Sequence, residues 1–302
     1  MKDNKQTFIA IINGKYLNSP IKKRKVKSAF KKLEKKYNIV RYLTTPLKEN
    51  AKQIAIEKYH QGFRNFISVG GDGTNYEIIN GLLSCADNIE DLTLGFLPVG
   101  TGNSFVADFS KKRFKNCLNA MLENKVKYID VIKLTHKEGD LYFINNLSIG
   151  FVSKVAFWRN KYLAAWGQSS YLIATIINLW NVATEKYNLS FDEKNDISEY
   201  SIVSFCNSKY TGGDMKFAPL ANPADGVLDV ITLSKTNKLN LIKLLLKVFK
   251  GTHLSSPLVN HTTCKKVIFN EQHKIPIVID GETLEVIPLS LNVMHKHIKI
   301  FA

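Results

Sequence analysis

Phe66-Ile67-Ser68-Val69-Gly70-Gly71-Asp72-Gly73-Thr74-Asn75-Tyr76-Glu77 runs from a short apolar stretch through three glycines into Ile78-Ile79-Asn80-Gly81-Leu82-Leu83. The first four residues read as a buried strand and the last six as the apolar side of a helix. Glycines at such a turn let the backbone approach a bulky anion closely. The helix behind them offers unpaired N–H groups and the positive end of its dipole. Asp72 places a carboxylate where a phosphate-bound divalent cation would sit. The turn therefore reads as a holder for nucleotide phosphates, with tight packing alone as the alternative. It lacks the lysine of a P-loop and does not match the G-x-G-x-x-G dinucleotide fingerprint.

A second glycine-rich turn, Pro98-Val99-Gly100-Thr101-Gly102-Asn103-Ser104, follows the next apolar run, Leu92–Leu97. Two such turns after successive strands can line one crevice at the edge of a parallel sheet. The surrounding pattern agrees. Strands are expected at Thr7–Ile12, Ile39–Leu43, Phe66–Val69 and Thr93–Leu97. Helices are expected at Val26–Tyr37, Lys48–His60, Glu77–Ser84 and Lys115–Glu123. This alternation predicts a doubly wound, largely parallel α/β domain.

From Tyr128 the texture becomes β-rich. Short runs at Tyr128–Leu134, Leu141–Leu147, Tyr187–Phe191, Tyr200–Phe205, Gly226–Leu233, Lys266–Phe269, Ile275–Asp280 and Glu285–Leu289 predict an antiparallel sandwich or barrel. Two helices interrupt it. Tyr162–Thr184 carries no formal charge, yet polar residues dilute it, and it reads as a helix packed on the sheet. Asn237–Lys250 sets Lys243, Lys247 and Lys250 on one face among leucines, which suits either a membrane interface or a core helix with a solvated edge. His295 and His297 alternate on a late strand and read as isolated surface histidines.

With 302 residues, 45% of them apolar, the chain can bury a sizeable ordered core. Its formal charge of +16, densest over Lys22–Lys36, points to an anionic partner. No helix-turn-helix, zinc finger or aromatic-basic RNA surface is present, so nucleic acid is disfavoured and an anionic membrane surface preferred. Four separated cysteines without a C-x-x-C pair imply reduced thiols and no zinc site. The polar N-terminus leads directly into a strand, so no signal peptide is expected.

These residues resemble the diacylglycerol kinase catalytic-domain family, bacterial lipid kinases that include sphingosine-kinase-like enzymes. Gly70–Glu77 matches its G-G-D-G-T-x-x-E, Pro98–Ser104 its P-x-G-T-x-N-D, and Asp280-Gly281-Glu282 its late D-G-E, in the family's order. Two departures stand out: Ser104 replaces the usual aspartate, and Gly14 replaces the proline that follows the first strand. The resemblance implies an NAD-kinase/diacylglycerol-kinase-like α/β domain over residues 1–127, completed by about 291–302. A β-sandwich lipid-substrate domain would span 128–290, with the active site between the two.

It further implies ATP and Mg²⁺ as cofactors. Asn13, Thr45, Gly70, Gly71, Asp72, Gly73, Thr74, Glu77, Gly100, Thr101 and Asn103 would form the nucleotide site. Asp72 would organise Mg²⁺, and Asp280 or Glu282 would be the general base; without the resemblance, Asp280-Gly281 reads as an ordinary hairpin signal. A structural Mg²⁺ would take Asp225 with the carbonyls of Asn222 and Val227, an oxygen-only set. The expected reaction is phosphorylation of a membrane lipid, foremost diacylglycerol to phosphatidic acid. An NAD kinase-like enzyme, another lipid or sphingoid kinase and an inactive nucleotide- or membrane-binding relative stay open. The protein is expected in the cytoplasm, with transient peripheral association at the inner membrane face; homodimerisation is left open.

Overall fold

The computed structural model describes residues 5–44, 50–86, 89–111, 113–163, 169–178 and 182–302. The chain divides into two compact units, Met1–Ile129 with Lys296–Ala302, and Asp130–His295.

In unit 1, β1 (Thr7–Asn13), α1 (Pro20–Leu33), β2 (Asn38–Thr44), α2 (Ala51–His60), β3 (Asn65–Gly70), α3 (Asp72–Cys85), β4 (Thr93–Pro98), α4 (Ala107–Ser110) and α5 (Phe114–Glu123) follow one another. The strands form a parallel sheet in the order β2-β1-β3-β4, with Thr7 opposite Asn38, Ile9 opposite Phe66 and Asn65 opposite Thr93. Lys299 and Ile300 add a further parallel strand beside Thr93 and Leu94. Alternate strand residues serve opposite faces. Phe8, Ala10, Ile12, Ile67 and Leu97 pack with Val26, Phe30 and Leu33 of α1 and Leu118 and Met121 of α5. α1 begins earlier than its apolar spacing suggests, because Pro20 takes the first helical position and Ser19 caps it.

In unit 2, β5 (Val126–His136, its first four residues in unit 1), β6 (Gly139–Phe143), β7 (Asn146–Gly150), α6 (Phe151–Tyr162), α7 (Ser169–Asn178), β8 (Glu185–Phe191), β9 (Lys194–Cys206), β10 (Tyr210–Thr211), β11 (Met215–Lys216), β12 (Leu228–Ser234), α8 (Lys238–Lys250), β13 (Val259–Cys264), β14 (Lys266–Phe269), β15 (Ile275–Ile279), β16 (Glu282–Val286) and β17 (Pro288–Phe301, passing into unit 1 at Lys296) follow. Neighbouring strands in the order β16-β15-β7-β9-β8-β14-β17 are antiparallel, and β9 also pairs β12, which pairs β13.

Helical structure expected over Tyr162–Thr184 instead falls in α6, which ends at Tyr162, and in α7; residues 164–168 and 179–181 lie outside the described set. Phe151 and Val155 of α6, Ala174 of α7, and Leu241 and Leu244 of α8 share one core with Ile202 and Leu233. No helix among the described residues is long and apolar enough to cross a membrane.

Candidate active site

In unit 1 the glycine turn is tighter than its sequence suggests, because α3 starts at Asp72 and takes Asp72, Gly73 and Thr74 into its first turn. Gly71 stands at the cap in extended conformation, without a side chain to close the helix end. A helix's first turn leaves N–H groups with no partner inside the helix. The carbonyl of Gly70 accepts the N–H groups of Val99 (2.9 Å) and Gly100 (3.1 Å), binding the two turns together. A Cβ on Gly100 would stand 2.4 Å from Gly71 Cα, so glycine at both positions is what lets the backbones touch.

Asp72 fastens the same pair of turns. Its Oδ2 accepts the N–H of Ser104 at 3.0 Å and its Oδ1 that of Phe105 at 3.4 Å. The family's usual aspartate side chain is therefore replaced at Ser104 while that residue's backbone is held. Asn103 takes a left-handed conformation (φ 51°) and donates to the carbonyl of Gly100 at 2.9 Å. Its Oδ1 is buried without a hydrogen-bond partner among the described residues. Thr101 is exposed.

The outer residues brace this centre. Asn13, at the end of β1, donates to Thr74 Oγ1 at 3.0 Å, so that buried hydroxyl is engaged inside the protein. Glu77 accepts the N–H of Ala51 at 2.9 Å, fixing the start of α2. Thr45 lies outside the described residues. Tyr16 was not foreseen: its hydroxyl would lie 3.1 Å from a Cβ on Gly71. Burial, and then the charge of Asp72, push its phenol above the ordinary value, so it stays a proton donor. A single tyrosine in a polar turn carries no periodic signal that could have revealed it.

In unit 2, Asp280 and Gly281 form the two-residue turn between β15 and β16, with φ values of 47° and 94°. Left-handed backbone at both positions is the hairpin geometry an Asp-Gly pair favours. The buried Asp280 carboxylate accepts the N–H groups of Ile144 (3.1 Å), Asn145 (3.0 Å) and Asn146 (3.0 Å). This explains why the continuous strand expected over Leu141–Leu147 is broken into β6 and β7: its central amides turn to the carboxylate. Glu282, by contrast, opens β16 with its side chain exposed.

The turn at Asn222–Val227 is held by Asp130, a residue the strand pattern concealed. Fully buried, Asp130 accepts the N–H of Gly226 (2.7 Å) and bonds His295 Nδ1 (2.9 Å), and its own N–H reaches the carbonyl of Pro223 (2.7 Å). His295 is thus no isolated surface histidine, and burial lowers the pKa of His297 below its ordinary value. An aspartate within Ile129-Asp130-Val131-Ile132 was the available clue, since a buried charge needs partners. Asp225 is exposed and its Oδ1 accepts the N–H of Val227 at 3.2 Å, while the Asn222 carbonyl accepts that of Ala224 at 2.8 Å. The set is oxygen-only, which fits a hard cation such as Mg²⁺. Among the described residues no group of three or more His, Cys, Asp or Glu side chains could hold a metal.

Comparison with known proteins bears on both units. Residues 8–134 match the family described as diacylglycerol kinase catalytic domain. Residues 145–302 match the YegS C-terminal NAD kinase beta sandwich-like domain. The chain is 30% identical over 257 residues to "Putative lipid kinase YtlR" of Bacillus subtilis (strain 168), covering 80% of this chain and 81% of that one. It is 26% identical over 253 residues to a diacylglycerol kinase of the same organism, covering 83% and 80%. A solved structure described as "a putative diacylglycerol kinase from Bacillus anthracis str. Sterne" has the same fold, with a TM-score of 0.79 at 22% identity over 99% of this chain and 98% of that one.

Proposed function

The chain belongs to the diacylglycerol kinase catalytic-domain family, a family of lipid kinases, and from that premise we propose that it transfers the γ-phosphate of ATP to the hydroxyl of diacylglycerol, giving phosphatidic acid. The observation that carries this reading is the clasp of the two glycine turns: Gly71 against Gly100, with Asp72 bound to the amides of Ser104 and Phe105. Side-chain-free backbone at a helix start favours a polyphosphate. The buried Asn103 Oδ1 beside it, without a partner among the described residues, is a polar group that a bound ligand would satisfy.

Phosphoryl transfer asks a protein mainly to position the reactants and to stabilise charge. Gly71, Gly73, Gly100, Thr101 and the Thr74 backbone would hold the phosphates. Asn13, Gly70 and Glu77 would keep that frame rigid through Thr74, Val99 and Ala51. Asp72 would hold Mg²⁺ directly or through water, and a bound Mg²⁺ supplies charge neutralisation at the phosphate oxygens. A second, structural Mg²⁺ would take Asp225 and the carbonyls of Asn222 and Val227.

The acceptor hydroxyl needs a group to take its proton. Glu282 suits that role better than Asp280, because its carboxylate is exposed while Asp280 spends both oxygens on three backbone amides. Asp280 is then a positioning residue that sets the turn carrying Glu282. Incubation with labelled ATP and a panel of lipids in mixed micelles tests the function, with sphingoid bases, isoprenoid alcohols and NAD as rival acceptors. Labelled phosphatidic acid from diacylglycerol is the expected product; label in NADP alone, or in no acceptor, would refute the reading.

A further inference from the structure

The helix α8 buries one side and leaves a second apolar stripe uncovered. Leu241, Leu244 and Val248 face the core. Leu239, Ile242, Leu246 and Phe249 are 70%, 40%, 64% and 41% exposed. They recur at intervals of three, four and three residues, so they line one stripe, roughly 80° wide on a helix turning ~100° per residue. Lys238 borders the stripe on one side and Lys243, Lys247 and Lys250 on the other, all exposed. No aspartate or glutamate stands anywhere between Asp229 and Glu271. The helix is well made in itself: the Asn237 side chain caps its start and Gly251, at φ 71°, closes its end. The uncovered leucines are therefore not a frayed end.

We propose that this outer face of α8 is the surface on which the chain docks to an anionic lipid bilayer. Charge decides among occupants. A second copy of the same face would bring two sets of lysines together with no acid on either helix to offset them. Nucleic acid would gain little from a stripe of two leucines and an isoleucine, in which Phe249 is the single ring available to stack a base. A bilayer with acidic headgroups answers both halves of the stripe: acyl chains receive the apolar side chains, and the lysine flanks stay at headgroup level. The proposal names the docking surface for the lipid kinase reading and rests on it for its purpose, yet binding can be measured without turnover.

The test is co-sedimentation of the purified full chain, without nucleotide, on vesicles of phosphatidylglycerol and phosphatidylcholine in equal parts or of phosphatidylcholine alone. The unaltered chain should bind the anionic vesicles with a strong salt dependence. Leu246→Asn with Phe249→Asn should weaken that binding about tenfold or more. Lys243→Gln with Lys247→Gln should weaken it and flatten the salt dependence. All four positions are exposed, so unfolding midpoints should hold; the lysine pair decides the matter should the apolar pair lower the folded yield. Undiminished vesicle binding in both pairs overturns the proposal. So does a dimer of the unaltered chain that the apolar pair turns into a monomer with vesicle binding intact. Short-chain, monomerically dispersed diacylglycerol keeps the two readings apart: both pairs should phosphorylate it like the unaltered chain. If no form phosphorylates any lipid but the pairs still lose vesicle binding, the kinase reading falls and the docking surface stands.

Discussion

The turn at Gly70–Asp72 and the turn at Asp280–Glu282 set glycine beside acid in both units, but their aspartates are used differently. Asp72 is partly exposed and accepts two amides, one of them at 3.4 Å, from a neighbouring turn. Asp280 is buried and accepts three amides at 3.0–3.1 Å from a strand break more than a hundred residues earlier. The Asp280 carboxylate is taken up by the fold; that of Asp72 makes fewer and longer amide bonds, and the proposed function gives it Mg²⁺ as well. Identical residue types thus differ in how many backbone donors surround them, and motif spelling alone does not reveal that difference.

The sharpest way to break this contrast is to remove each carboxylate. Asp280→Ala leaves three buried N–H groups unpaired and should cost about 3–5 kcal/mol in chemical denaturation. Asp72→Ala should cost about 1–2 kcal/mol, because its donors are fewer, longer and nearer to water. Equal costs would erase the distinction. Next in size, Glu282→Gln should lower kcat about a hundredfold or more at an unchanged unfolding midpoint, as expected for the loss of a general base. Full turnover in that variant would return the base role to another residue.

A smaller effect is expected where the glycine turns touch. Gly100→Ala brings a methyl to 2.4 Å from Gly71 Cα, so the turns must part. Overpacking of this kind costs about 1–3 kcal/mol, and ATP affinity by calorimetry should fall with it. Unaltered affinity would mean that the clasp does not shape the phosphate site.

The smallest effect compares the units through one buried and one half-buried histidine. Burial lowers the pKa of His253 in unit 2 below the ordinary 6.5, more than its bond to the Phe217 carbonyl raises it. His297 in unit 1 is lowered by burial alone. Both folded states favour the neutral ring, so the unfolded chain binds more protons as the pH falls below about 6.5. Stability should then decline from about pH 7 toward about pH 5 in thermal melts, and His253→Gln should remove part of the decline. An unchanged slope in that variant would assign the loss to other groups.

Much of this was legible in sequence. The strand–turn–helix order around Gly70 and the apolar runs of β1, β3 and β4 follow from period and glycine alone. The segment Asn237–Lys250 likewise matches α8 to within one residue, Asn237 serving as its cap. What escaped was long-range. Asp130 sits in an apolar strand and its partners, Pro223, Gly226 and His295, are far along the chain. Asp280 breaks a strand it does not belong to, and Tyr16 reaches the glycine turn from a polar segment with no pattern. Exposure on α8 was hidden for another reason: a leucine-rich helix presents the same letters whether one side or two are covered.

The strand beside β4 comes from the last residues of the sequence, Lys299 and Ile300. Those residues are translated only after the whole of Asp130–His295. At ribosomal speeds of roughly 5–20 residues per second, β4 waits on the order of ten to forty seconds with its hydrogen-bonding edge uncovered. Thr93–Pro98 is apolar and short on charge, the composition that recruits stray strands. A nascent chain of this protein thus passes through an interval in which shelter by a chaperone matters most, set by the order in which its residues are made.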